Sequence, residues 1–80
     1  MIPLYGFMRG DTIGLLILAR ADDTVASLAE RLRSSAALRV PHPQRMAVLF
    51  KEQILDPRLT VGRAGLCALD RFDLVPVERP

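Results

Sequence analysis

Few side chains in this 80-residue sequence are of types that do chemistry, and their spacing serves it poorly. His42 is the only histidine and lies between Pro41 and Pro43. A metal site of the zinc kind takes three or four ligands, and no Cys, Asp or Glu neighbours His42, which therefore reads as an exposed loop residue. Cys67, the single cysteine, needs a nearby cation or dipole to become a reactive thiolate. Only Arg63 and Arg71 could supply one, and a small residue in a partly buried turn is the simpler account. Asp22 and Asp23 have the form of paired carboxylates for acid–base work, yet a helix start uses them equally well. The glycines at 6, 10, 14, 62 and 65 stand apart and make no phosphate-binding loop. These residues give no catalytic, cofactor-binding or metal-ligating constellation.

Length and charge exclude further classes. Eighty residues are read as one domain, residues 1–80, burying only about 60–65% of its unfolded surface. A substrate cleft would compete with the core for side chains. Eleven basic and nine acidic residues leave a net charge of +2, and the arginines are scattered rather than run together, so no nucleic-acid partner is expected. No apolar run approaches bilayer length, and no basic region followed by a long apolar core marks a secretory signal, so no membrane is expected either. A lone cysteine fits a reducing compartment. The expected location is the cytoplasm.

The elements follow from periodicity. Ile2 to Met8 reads as a strand, and Arg9-Gly10-Asp11-Thr12 as a tight hairpin turn with a two-residue Gly-Asp loop. That loop pairs Arg9 with Thr12, Met8 with Ile13, Gly6 with Leu15 and Leu4 with Ile17. Asp22-Asp23-Thr24 opens a helix, any of the three being able to cap it. Val25, Leu28, Ala29, Leu32 and Ala36 form its apolar stripe. Pro41 and Pro43 place its end near Leu38 and make Pro41-His42-Pro43-Gln44 a loop. Arg45–Phe50 is a strand, Lys51-Glu52-Gln53 a polar turn, and Ile54-Leu55 a short strand. Thr60 caps one helical turn from Val61 to Ala64, and Gly65 ends it in the left-handed region. Leu66 points inward. Asp70-Arg71 is a turn before the last strand, Phe72–Val77, whose ladder frays at Pro76.

The stretch Thr12–Ala19 carries the functional expectation. A half-buried strand alternates apolar and polar residues, but here Ile13, Leu15 and Ile17 fill one parity while Leu16 and Leu18 fill the other. A helix crossing between the second and third strands covers one sheet face and leaves the other open. The open face is expected to present Tyr5, Phe7, Leu16, Leu18, Ala47, Leu49, Val75 and Val77. Neighbouring apolar residues on adjacent strands predict a partner interface rather than scattered exposure.

The order hairpin, helix, strand, short strand, one-turn helix, strand is the β-grasp arrangement of an α+β domain. The sequence resembles the ubiquitin-like superfamily over nearly the whole chain, through Thr12 to Ile17, Asp23-Thr24-Val25, Ile54-Leu55-Asp56, Leu59-Thr60-Val61, Gly65-Leu66 and Phe72-Asp73-Leu74-Val75. The resemblance implies a mixed sheet with one amphipathic helix packed on one face. A narrower likeness lies in Ile2-Pro3-Leu4-Tyr5-Gly6-Phe7, Gly10-Asp11, Val40-Pro41-His42-Pro43 and Leu59–Leu66. These resemble the small B or gamma subunit of bacterial multicomponent diiron monooxygenases acting on toluene, alkenes or isoprene. That likeness implies a non-catalytic subunit docked on the large hydroxylase chain within a hetero-oligomer. The diiron centre would lie in that large chain, with no cofactor in this one.

Two other readings differ in class. A covalent modifier or sulfur carrier is activated at a terminal Gly-Gly, whereas this sequence ends Val77-Glu78-Arg79-Pro80, so a conjugated modifier is not expected. A free-standing ubiquitin-like adapter for protein interaction is the alternative; the initial Met1 is read as favouring a complete small protein over an excised domain. An enzyme in its own right ranks last.

Overall fold

The computed structural model describes residues 1–9, 13–36 and 46–77. Gly10, Asp11 and Thr12 of the expected turn, the expected helix end at Leu38 and the loop containing His42 lie outside the described residues. Five strands form one sheet: β1 (Ile2–Met8), β2 (Leu15–Ala19), β3 (Met46–Phe50), β4 (Gln53–Ile54) and β5 (Arg71–Pro76), in the order β2-β1-β5-β3-β4. β1 and β5 run parallel and the other pairs antiparallel. The sheet is therefore mixed, with β5 in the middle.

The first hairpin has the register that a Gly10-Asp11 loop requires. Leu4 faces Ile17, Tyr5 faces Leu16 and Gly6 faces Leu15. β2 begins at Leu15 rather than earlier, and the Phe7 ring lies across Gly14, where a Cβ would stand 2.6 Å from Phe7 Cε2. Two boundaries differ elsewhere. The turn after β3 is only Lys51-Glu52, both at positive φ (49° and 65°), which places Gln53 opposite Phe50 and starts β4 one residue early. β5 begins at Arg71, where a turn was expected, because β1 recruits it: Tyr5 faces Arg71, and Tyr5 N–H donates to the Asp70 carbonyl at 2.9 Å. Val77 lies beyond the strand, which ends at Pro76.

α1 (Val25–Ala36) crosses one face. Its N-terminal donors, which a helix cannot satisfy itself, are all accounted for. Val25 N–H and Ala26 N–H donate to the carbonyls of Leu59 and Pro57 at 2.8 and 3.0 Å. Ser27 N–H donates to Thr24 Oγ1 at 3.1 Å and Leu28 N–H to the Thr24 carbonyl. Of the three candidate caps the structure uses Thr24. Asp23 serves differently, accepting from Arg20 N–H at 2.8 Å and from Arg31 Nη2 at 2.6 Å. The one-turn helix α2 (Val61–Ala64) has Thr60 as its cap and Gly65 at φ 84° as its left-handed end.

Val25, Leu28 and Leu32 pack with Leu4, Met8, Ile17, Val48, Phe50, Val61, Leu66, Phe72 and Leu74 in one core between α1 and the sheet. Gly6 makes this contact possible, since a Cβ there would lie 2.9 Å from Phe72 Cζ and 3.0 Å from Leu32 Cδ2. No buried side-chain polar atom among the described residues lacks a hydrogen-bond partner.

Candidate functional site

With α1 on one side, side chains of the opposite parity form the outward face of the sheet. The registers arrange them in rows. Leu16, Tyr5 and Arg71 lie side by side across β2, β1 and β5. Phe7, Asp73, Leu49 and Ile54 form the next row, across β1, β5, β3 and β4. Leu18 pairs with Pro3 at one end, and Val75 with Ala47 at the other.

This face is apolar and open over much of its width. Leu16 is 56% exposed, Leu18 51% and Tyr5 42%, while Phe7, Ala47 and Leu49 are half-buried. Val75 departs from the expected openness. It is only 6% exposed, because its strand is flanked by β1 and β3, and it offers almost no free surface. Val77, past the strand end, is exposed and lines a groove with Met46 and the α1 side chains Ala26 and Ala29. Three exposed branched side chains were not expected on the surface: Ile13, 49% exposed despite sharing the parity of Leu15 and Ile17, Ile54 and Leu69. Ile54 joins the outward row because the two-residue turn pairs it with Leu49. Leu69 sits at φ 68° in the turn before β5, with its N–H on the Pro3 carbonyl. The paired positive-turn signal at Lys51-Glu52 is absent from the sequence, and Leu69 carries no signal at all.

The centre of the face is polar. The Arg71 guanidinium lies 4.0 Å from the centroid of the Phe7 ring. Its Nε donates to Asp73 Oδ1 at 2.9 Å and its Nη2 to Asp73 Oδ2 at 3.4 Å. These bonds raise the Arg71 pKa above its usual value, so the stacked group stays cationic. The Phe7 ring thus lies with Gly14 on one side and Arg71 near its face.

Of the residues considered for chemistry, Cys67 and Asp23 are otherwise engaged. Cys67 is exposed, its N–H bonded to Asp70 Oδ2 at 2.8 Å and its Sγ directed at the Gly65 carbonyl. The Asp23 carboxyl is held below its usual range by the Arg20 N–H and by Arg31, which makes it a structural acceptor. Among the described residues no group of three or more His, Cys, Asp and Glu side chains is placed to hold a metal ion, and no helix is long and apolar enough to cross a membrane.

Comparison with solved structures gives the same arrangement. A chain of the toluene 4-monooxygenase HD complex with the inhibitor 4-bromobenzoate superposes with a TM-score of 0.83 at 19% identity, covering 95% of this chain and 98% of that one. The ubiquitin of Caldiarchaeum subterraneum gives 0.76 at 18% identity, covering 98% and 95%. A structure described as molecular mimicry of SUMO in DNA repair gives 0.75 at 23% identity, covering 92% and 89%. The fold is the ubiquitin-like β-grasp. No curated protein matches in sequence. The family model for toluene-4-monooxygenase system protein B matches residues 1–75, and the chain belongs to that family, the small accessory subunits of a monooxygenase system.

Proposed function

We propose that this chain docks on the large hydroxylase subunit of a hydrocarbon monooxygenase through the outward face of its sheet and serves assembly rather than chemistry. In this reading the iron and the oxygen chemistry belong to the large chain, which acts on an aromatic or alkene substrate in the cytoplasm. The observation that carries the reading is the pair of rows Leu16–Tyr5–Arg71 and Phe7–Asp73–Leu49–Ile54, a surface opposite the helix in which apolar side chains flank the Arg71–Asp73 pair. Family membership supplies the kind of partner. Burying the exposed half of a leucine contributes about 1 kcal/mol, so several such residues together support a lasting interface.

Leu16→Asp and Leu18→Asp, at the two most exposed leucines of the face, test it. Each places a charge on the face without touching the α1 side, so the variants should melt within a few degrees of the parent and fail to remain with the large chain on gel filtration. Variants that stay bound with unchanged affinity would refute this face as the docking surface.

A further inference from the structure

We infer that Arg71 is the polar anchor of the docking face and that the hydroxylase chain meets it with main-chain carbonyl oxygens. The inference rests on the docking reading above and names what the partner must present. Arg71 stands on β5, the middle strand, in the row with Leu16 and Tyr5. Its side chain is 62% exposed. A guanidinium carries five N–H donors, and among the described residues only Nε and Nη2 find an acceptor, both on Asp73. In the free chain water satisfies the remaining donors. Docking removes that water, and a buried donor left unpaired is costly. The partner must therefore supply acceptors at this point.

The neighbouring charge decides which kind. Arg71 and Asp73 form an ion pair with no net charge. A carboxylate from the partner would be attracted by Arg71, yet beside Asp73 it would leave the buried cluster with a net negative charge and would bear the full cost of desolvating an ion. A carbonyl oxygen avoids both penalties and satisfies the same donors. The ends of helices expose such carbonyls. Stacking on Phe7 at 4.0 Å already confines the guanidinium, so little further ordering is lost on binding. Arginine and tyrosine side by side at the middle of a face are also the residue types that concentrate binding energy.

The test is displacement of labelled wild-type chain from the assembled hydroxylase by unlabelled full-length variants, with melting of each variant as the folding control. Arg71→Ala and Arg71→Lys should both compete at least tenfold less well while melting within a few degrees of the parent. Competition by the parent should change less than threefold between low and high salt. Undiminished competition by Arg71→Ala, or rescue by lysine, overturns the anchor. A drop of tenfold or more with salt overturns the carbonyl assignment in favour of a carboxylate. Leu16→Asp separates the two levels: if it fails to compete while Arg71→Ala competes fully, only the Arg71 inference falls. If both compete fully, the docking face itself is wrong.

Discussion

Gly6→Ala and Gly14→Ala should differ in a direction that the size of the clash alone does not give. Both glycines lie in or beside the first hairpin, and the added Cβ meets an aromatic ring in each case. At Gly14 the intrusion is the deeper one, with Phe7 Cε2 at 2.6 Å and Cζ closer still, against 2.9 Å to Phe72 Cζ at Gly6. The rings differ in freedom. Phe72 is fully buried and Leu32, the second neighbour of Gly6, is 1% exposed. Neither can yield without moving α1 off the sheet. Overpacking of this kind costs about 1–3 kcal/mol, and loss of glycine's unfolded-state freedom returns about 0.4–1 kcal/mol. The net is about 1–2 kcal/mol, or roughly 5–15 °C in Tm for a chain of this size. Phe7 is half-buried on the outer face and can swing toward solvent, forfeiting its stacking on Arg71, a loss of about 0.5–1 kcal/mol. The same entropic return nearly cancels it. Gly14→Ala should therefore lower Tm by less than about 5 °C and yet weaken docking, whereas Gly6→Ala should do the reverse. Thermal melts followed by circular dichroism, with the displacement assay alongside, read both. A Gly14→Ala melt at or below that of Gly6→Ala would refute the distinction between a fixed inner ring and a mobile outer one.

Other consequences concern the turn and the acid limb. Glu52 sits at φ 65°, a conformation that costs a non-glycine residue about 1–2 kcal/mol, of which the added unfolded-state freedom of glycine offsets about 0.4–1 kcal/mol, so Glu52→Gly should raise Tm by a few degrees in a thermal melt, and a fall would show that this backbone carries no such strain. The Asp23 carboxyl is held below its usual range in the folded chain, chiefly by the Arg20 N–H and then by Arg31. A depressed carboxyl contributes stability that is present above the unfolded pKa and lost as pH falls through the folded one. Asp23→Asn should therefore melt below the parent at neutral pH, and the gap should close as melts are taken at pH values falling through and below the usual carboxylate range; a constant gap would contradict the linkage.

What the sequence made legible was local. The register of β1 and β2 is the one that the Gly-Asp signal and parity predict, and Thr60 and Gly65 bounded α2 because a cap and a left-handed terminator are chemistry of single residues. The stripe of Val25, Leu28 and Leu32 identified the inward side of α1 for the same reason. What escaped depends on pairing between distant segments. β5 gains Arg71 from β1, some sixty residues earlier, and no local pattern announces that. Val75 has the parity of an outward residue, but its burial comes from the strands on either side of it. The Gly14–Phe7–Arg71 stack joins three separate segments, so its members look unrelated in the chain. Choosing Thr24 over Asp22 or Asp23 as the cap depended on Arg31, one turn and more into the helix, taking the Asp23 carboxylate.

The most direct test of the account is the native mass and iron content of this chain, tagged and gently purified from its host. The account predicts co-elution with a large iron-containing chain in a hetero-oligomer. A lone 8.9 kDa monomer without iron or partner would contradict it and leave a free-standing ubiquitin-like adapter as the reading to pursue.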